Sequence, residues 1–333
     1  MKVSHHSKIE RVDLINASGY MPPGLQQLEA LREGKYRIRD VAIAGDAPKD
    51  FVHIYEYGSG TRENRSKWPK YIAKVGHKWY PNESITEHFL SRLGESLGFR
   101  MAQSKLVLAR GQLRFCSRYF LRPDQSLTHG AELFWGYLDD RSFVEGIEAA
   151  NESRNVFTFQ FVQDAILHRY PDHAYEILDD FVKMLLFDAI VGNNDRHFYN
   201  WGVIEHPEGK HPPRFSPIYD TARALFWNTS EKKLGALYKS EKHYLRKLED
   251  YVQGSKPKIG WDDSPEVNHF TLVKELYDCS EQWRELILKF DGVKIRKAAE
   301  MLLFEDEFTD LMSNLRKRVV LDSLDARLKF LGF

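Results

Sequence analysis

The chain has 333 residues, enough for two lobes around a sizeable core, and its 42% apolar and 29% charged composition is that of a globular protein. Lys plus Arg balances Asp plus Glu at 48 each, so no global basic field draws in nucleic acid, and no apolar run approaches membrane-spanning length. Cys116 and Cys279 are too few for a disulfide framework and read as buried, reduced thiols. The start, Met-Lys-Val-Ser-His-His, has no apolar signal region, and a cytoplasmic location is the default expectation.

Pro22-Pro23-Gly24 breaks the chain ahead of a short helical stretch over 25–32. From 36 to about 80 the text reads as strands and turns: 50–57 alternates, Gly58-Ser59-Gly60 turns, and 71–75 is another strand. Ile85, Phe89, Leu93 and Leu97 have helical spacing over 84–97, and Gly98 stops that helix. Strands resume at 104–108 and 114–119. Beyond Leu121-Arg122-Pro123-Asp124 the pattern changes to amphipathic helices near 131–150, 158–170, 174–191, 264–290, 294–303 and 305–331. A strand-rich front (1–122) and a helix-rich back (123–333) predict a two-lobed α/β (α+β) architecture with chemistry where the lobes meet.

The most informative stretch is 184–228. An apolar helical run stops at Gly192, a polar loop holding Asp195 and Asn200 follows, and a short strand at 202–205 leads through turns to Asp220. An Asp, an Asn five positions later and a second Asp beyond a hairpin are what phosphoryl transfer from ATP requires. The first carboxylate can take a hydroxyl proton, while Asn200 and Asp220 can hold Mg²⁺ on the phosphates.

Lys74 sits mid-strand in Tyr-Ile-Ala-Lys-Val, where a charge needs a reason. Alone it reads as an edge lysine pointing to water. Ahead of a helix bearing Glu87 and of the Asp195 loop, it reads instead as the cation for the α and β phosphates, held by Glu87, with Glu83 one turn earlier as the fallback. The turn Ala44-Gly45-Asp46-Ala47-Pro48-Lys49 lies between two strands, and its N–H groups could close over phosphates with Lys49 adding charge.

Other residues of the region have duller readings. Asp188 more often faces solvent or bonds a loop N–H than catalyses. His197 is expected to order the backbone around Asp195. Arg196 and Arg223 either bind phosphate or pair with nearby carboxylates. Phe198, Tyr199 and Trp201 are packing residues, and His5, His6, His206 and His211 lack metal-ligand spacing and read as surface residues.

With these residues in place, the chain resembles the HipA-like serine/threonine kinases, the toxin kinases of bacterial toxin–antitoxin systems, from about Val41 to Trp227. Gly45-Asp46-Ala47-Pro48-Lys49 is similar to their phosphate loop, Lys74 to their strand lysine, and Glu87 to Gly98 to their helix. Ser117-Arg118-Tyr119-Phe120 is similar to their hinge. Gly192, Asn193, Asp195, His197 and Asn200 meet every fixed position of their catalytic loop, and Pro217, Tyr219 and Asp220 meet the metal motif. The resemblance implies a bilobal protein-kinase-like fold using ATP and Mg²⁺. It implies Asp195 as general base, Asn200 and Asp220 as metal ligands, and Lys74 as phosphate ligand. Gly45, Ala47, Lys49, Glu87, Ser117, Tyr119 and His197 would line the nucleotide site. The implied acceptor is a Ser or Thr of a protein, such as an aminoacyl-tRNA synthetase or other translation factor, and the implied partner is an antitoxin. Residues 38–51 contain no Ser or Thr, so the self-phosphorylation found in many members near the phosphate loop is absent or lies elsewhere, with Ser59 and Thr61 the nearest hydroxyls.

Three other functions compete. A lipid or inositol kinase shares Gly-x-x-Asp-Arg-His-x-x-Asn but continues to Ile-Asp-Phe-Gly, whereas this chain has Ile218-Tyr219-Asp220-Thr221. A two-metal nuclease built on Asp195, His197 and Asp220 leaves Lys74 and Glu87 without a role. A non-catalytic nucleotide-binding pseudokinase that sequesters a partner would not need all four competent positions filled.

Overall fold

The computed structural model describes residues 8–39, 41, 43, 47–59, 61–150, 152–262 and 264–333. Five antiparallel strands form the front sheet: β1 (Tyr36–Arg39), β2 (Lys49–Ile54), β3 (Lys70–Lys74), β4 (Ser104–Ala109) and β5 (Gln112–Arg118), in the order β1-β2-β3-β5-β4. Side chains alternate across β3: Tyr71 and Ala73 go into a small core with Ile9, Val52, Val107 and Cys116, so Lys74 must lie on the face shared with Ile72. That face is covered by α1 (Asn82–Ser96), which packs on β4 and β5. Alternation on β3 thus aims Lys74 at the helix bearing Glu87.

The sequence encodes the end of α1 explicitly. Gly98 takes φ +82°, its N–H bonds Glu95 O at 3.0 Å, and Phe99 N–H bonds Gly94 O at 2.9 Å. This pair of bonds is the Schellman stop that a glycine without a Cβ permits.

The back of the molecule begins with β6 (Ser126–His129), α2 (Gly130–Leu138), α3 (Arg141–Ala149), α4 (Ser153–Val156), α5 (Phe159–Arg169) and α6 (Ala174–Val191). Then come β7 (Gly202–Glu205), β8 (Arg214–Phe215), α7 (Glu231–Tyr238), α8 (Glu241–Gln253), α9 (His269–Cys279), α10 (Glu281–Ile287), α11 (Gly292–Phe304) and α12 (Asn314–Leu331). Strands β6, β7 and β8 form a second antiparallel sheet with β7 in the middle. Helix α6 is central: Phe181, Val182 and every residue from Met184 to Val191 are buried, in contact with α5, α9, α10 and α12. Among the described residues no helix is long and apolar enough to cross a membrane.

Several element boundaries differ from the expectation. The helix foreseen over 131–150 is two, because Asp139 turns left-handed (φ +53°) and Asp140 caps α3 by accepting from Phe143 N–H. The one foreseen over 264–290 breaks at Ser280, which caps α10. The last helix starts at Asn314 behind the Ser313 cap, with 305–313 in turns, and the stretch over 25–32 holds only the 3-10 turn Pro23–Gln27. Helices α7 and α8 were not foreseen, although Tyr244, Leu248 and Val252 give α8 a buried stripe at i, i+4, i+8. Cys116 is buried as expected, but Cys279 is exposed, at the end of α9. His206 is also not a surface residue: its ring lies under Asp124 and against His211.

Candidate active site

The site is assembled from three elements, the first of them backed by α1. From the front sheet comes Lys74, whose Nζ lies 2.5 Å from Glu87 Oε1 and 2.9 Å from Asp220 Oδ1. Glu87, and not Glu83, is therefore its helical partner, as expected. The Lys74 ammonium also stands 5.3 Å from the Phe115 ring centroid.

One cation between two carboxylates leaves negative charge in excess. Burial alone would lower the Lys74 ammonium, but Asp220 and Glu87 override it and raise it. Burial pushes the Glu87 carboxyl up to about 7, only partly offset by Lys74, with Asp220 adding to the rise. Burial would also raise Asp220, yet Lys74, helped by Lys49 and Arg196, brings it down to about 2. Asp220 therefore stays ionised, and Glu87 is the carboxyl of the pair that takes up a proton first.

Helix α1 is held where Glu87 can reach. On its outer side His88 Nε2 lies 2.6 Å from Glu307 Oε1 and Arg92 Nε 3.2 Å from Glu307 Oε2. At its start the Asn82 side chain donates to Trp227 O, and Trp79 packs edge-on against Trp227.

The second element is the loop after α6. Gly192 ends the helix at φ +76°, and a Cβ there would lie 2.7 Å from Arg327 Nη1, so both backbone and space require glycine. Asp195 N–H donates to Asn193 Oδ1 (3.2 Å), and Asp195 O accepts from His197 N–H (2.9 Å) and from Asn200 Nδ2 (2.9 Å). The last bond fixes the Asn200 amide: its nitrogen is used, so its oxygen is the atom left to meet a cation. His197 Nδ1 accepts from Tyr199 N–H at 3.3 Å, an ordering role within the loop. Burial lowers its basicity despite Asp195 beside it.

Arg196 joins the loop to the third element, the segment after β8. Its guanidinium is buried and donates to both oxygens of buried Asp188 (2.8 and 3.0 Å), to Asn200 O (2.8 Å) and to Tyr219 O. One side chain therefore sets Asn200 beside the residue preceding Asp220. Asp188 does not face solvent; as one of the expected readings had it, it bonds a loop N–H, accepting from Asn193 Nδ2 at 2.9 Å. It anchors this staple from inside α6, and Arg196 takes the pairing option rather than phosphate. The signal was present in the sequence as a lone charge inside the apolar run 184–191. The Tyr219 hydroxyl donates to Tyr199 O at 3.1 Å, closing the same loop from its far side. Phe198 and Trp201 pack with Phe134 and Phe181, as expected of packing residues.

The same segment carries Arg223, which the sequence left undecided: its Nε lies 3.1 Å from Asp195 Oδ2. Burial raises the Asp195 carboxyl while Arg223 opposes the rise.

The donor set around Asp220 and Asn200 fits a divalent metal held with phosphate oxygens. Asp220 engages Lys74 through Oδ1, and the Asn200 amide is already oriented. Among the described residues no group of three or more His, Cys, Asp or Glu is placed to hold a metal ion.

The other residues expected around a nucleotide lie on β2, β5 and the segments beside them. Gly45 lies outside the described residues. Ala47 is half-buried, and Lys49 pairs in register with Lys74, close enough to influence Asp220. Ser117 sits in β5 between Ile72 and Ser104. Tyr119 departs from a simple hinge, because its N–H already bonds Lys70 O (2.8 Å) and its ring packs on Phe51. A base edge would have to use its carbonyl or the residues after it.

The model of the HipA-like C-terminal domain matches residues 41–283, most of the chain. The chain belongs to this HipA-like family. Other comparisons agree with the HipA-like fold. The chain superposes on the Helicobacter pylori proinflammatory kinase CtkA with a TM-score of 0.66 at 16% identity, covering 88% of this chain and 92% of that one. On Shewanella oneidensis HipA, solved with HipB and its operator DNA, the TM-score is 0.53 at 17% identity, over 88% of this chain and 66% of that one. These establish a bilobal kinase-like fold. A Haemophilus influenzae protein provisionally named a kinase is 28% identical over 155 residues, 45% of this chain, and that match spans 44% of its length.

Proposed function

We propose that this HipA-like chain is an ATP- and Mg²⁺-dependent serine/threonine protein kinase, with the nucleotide site between residues 1–122 and 123–333. The observation that carries this reading is Lys74 bridging Glu87 and Asp220, with the Asn200 loop stapled to Asp220 through Arg196.

In this reading Lys74 binds the α and β phosphates, and Glu87 keeps its ammonium from folding away. Asp220 and Asn200 would hold a metal ion, which would supply charge neutralisation to the phosphates. Asp195 orients the acceptor hydroxyl and takes its proton as the Oγ–P bond forms and the bond to the β-phosphate oxygen breaks. The acceptor is a Ser or Thr of a cellular protein, a translation factor or aminoacyl-tRNA synthetase, or of the kinase itself. HipA of the Shewanella complex is bound by HipB. By analogy an antitoxin-type protein is the partner proposed here.

A phosphoproteome recorded after brief expression of the wild type and of Asp195→Ala tests the proposal. New phosphoserine or phosphothreonine sites that depend on Asp195 are expected, and identical phosphoproteomes would overturn it.

A further inference from the structure

Arg223 lies outside the phosphoryl-transfer set, yet its side chain reaches the Asp195 carboxylate, on which His197 and Lys258 also act. The loop's own bonds fix only the Asp195 main chain, through Asn193, His197 and Asn200. The carboxylate is set by Arg223 Nε, 3.1 Å from Oδ2.

The arm that delivers Arg223 is built to be rigid. It leaves Asp220 and runs through left-handed backbone at Asp220, Leu225 and Phe226 (φ +56°, +53° and +58°), positions that non-glycine residues hold only when their surroundings over-determine them. Arg223 O accepts from Asn194 N–H at 3.4 Å, next to Asp195 itself. Its guanidinium stands over the Trp227 ring (5.6 Å to the centroid), and Trp227 is braced by Trp79 and by Asn82 at the start of α1.

We infer that Arg223 is a positioning residue for the base: it holds Asp195 through Oδ2 so that Oδ1 faces the acceptor hydroxyl, and the Trp227–Trp79 pair holds Arg223. This rests on the proposed kinase reading and deepens it. A lysine in its place keeps the charge but has a single nitrogen and lacks the delocalised guanidinium that stands over Trp227, so it should serve only in part.

The test compares wild type, R223K, R223Q, W227L, D195A and D195A/R223Q as full chains. Single-turnover transfer of ³²P from [γ-³²P]ATP is counted into the kinase, α-casein or water, with Mg²⁺·AMP-PNP affinity measured by calorimetry. The expected result for R223Q is a kcat lower by about 10-fold to 10²-fold, with KM for ATP and AMP-PNP affinity within about twofold of wild type. R223K and W227L should fall between, and R223Q should cost nothing further in the D195A background. Equal kcat in R223Q and wild type overturns the inference. So does a loss confined to KM and AMP-PNP affinity, which would make Arg223 a phosphate ligand, and so does an additive loss in D195A/R223Q. Undiminished transfer by D195A, or no transfer by the wild type, sinks the kinase reading instead.

Discussion

Lys74 and Asp220 lie 146 positions apart in the chain, yet their side chains meet at 2.9 Å. That contact closes the cleft from both lobes, because β3 supplies the ammonium and the segment after β8 supplies the carboxylate. Removing the ammonium leaves the buried Glu87 carboxylate and the part-exposed Asp220 carboxylate without the cation between them. Lys74→Met should therefore lower γ-phosphate transfer by about 10²–10⁴-fold, measured by single-turnover quench with [γ-³²P]ATP. Transfer within about twofold of wild type would return Lys74 to a structural role.

Asp220 is held ionised at a carboxyl of about 2, chiefly by Lys74 against the cost of burial. An Asp220→Asn chain keeps the shape but loses the charge a divalent cation needs. Calorimetric titration with AMP-PNP should then show no gain in affinity on adding Mg²⁺, where the wild type shows one. An unchanged Mg²⁺ effect would put the metal elsewhere.

Arg196 tests stability more than chemistry. It is the sole ion-pair partner recorded for the buried Asp188 carboxylate among the described residues, and it bridges two backbone carbonyls. Arg196→Met leaves that charge unpaired and should destabilise the fold by about 3–5 kcal/mol. Chemical denaturation reads this directly, and the double change Arg196→Met with Asp188→Leu should recover part of the loss. A single variant as stable as wild type would mean the staple is dispensable.

His269 gives the pH dependence. It is fully buried beside Asn193, with Arg327 and Arg154 in range, and burial followed by the Arg327 charge holds its pKa well below the ordinary 6.5. Below about 6.5 the unfolded chain takes up a proton that the folded chain refuses, so stability is lost as pH falls from 7 towards 5. Thermal unfolding across that range should show a falling midpoint, with a shallower fall in His269→Gln. Equal slopes in the two chains would show that His269 does not titrate this way.

What was legible in the sequence was whatever is local. The period-2 pattern around Lys74, the glycine stops at Gly98 and Gly192 and the spacing of Asp195 to Asn200 all act over a few residues, and each could be read directly. The expected partner Glu87 followed because it is on the next element. The Asp188–Arg196 staple, the Arg223–Asp195 contact and the clamp of His88 and Arg92 on Glu307 depend on which far segments meet, and a charged side chain does not state its partner. Helices α7 and α8 were missed for a milder reason: their caps, Ser230 and Ser240, sit in a polar stretch whose apolar stripe is short.

The most direct test of the account is ³²P transfer from [γ-³²P]ATP by purified wild type and Asp195→Ala in the presence of Mg²⁺, followed by phosphoamino-acid analysis. The account predicts label on serine or threonine with the wild type, lost with Asp195→Ala and on removing Mg²⁺ with EDTA, while both chains unfold at the same temperature. Equal labelling by the two chains, or labelling that survives EDTA, would contradict it.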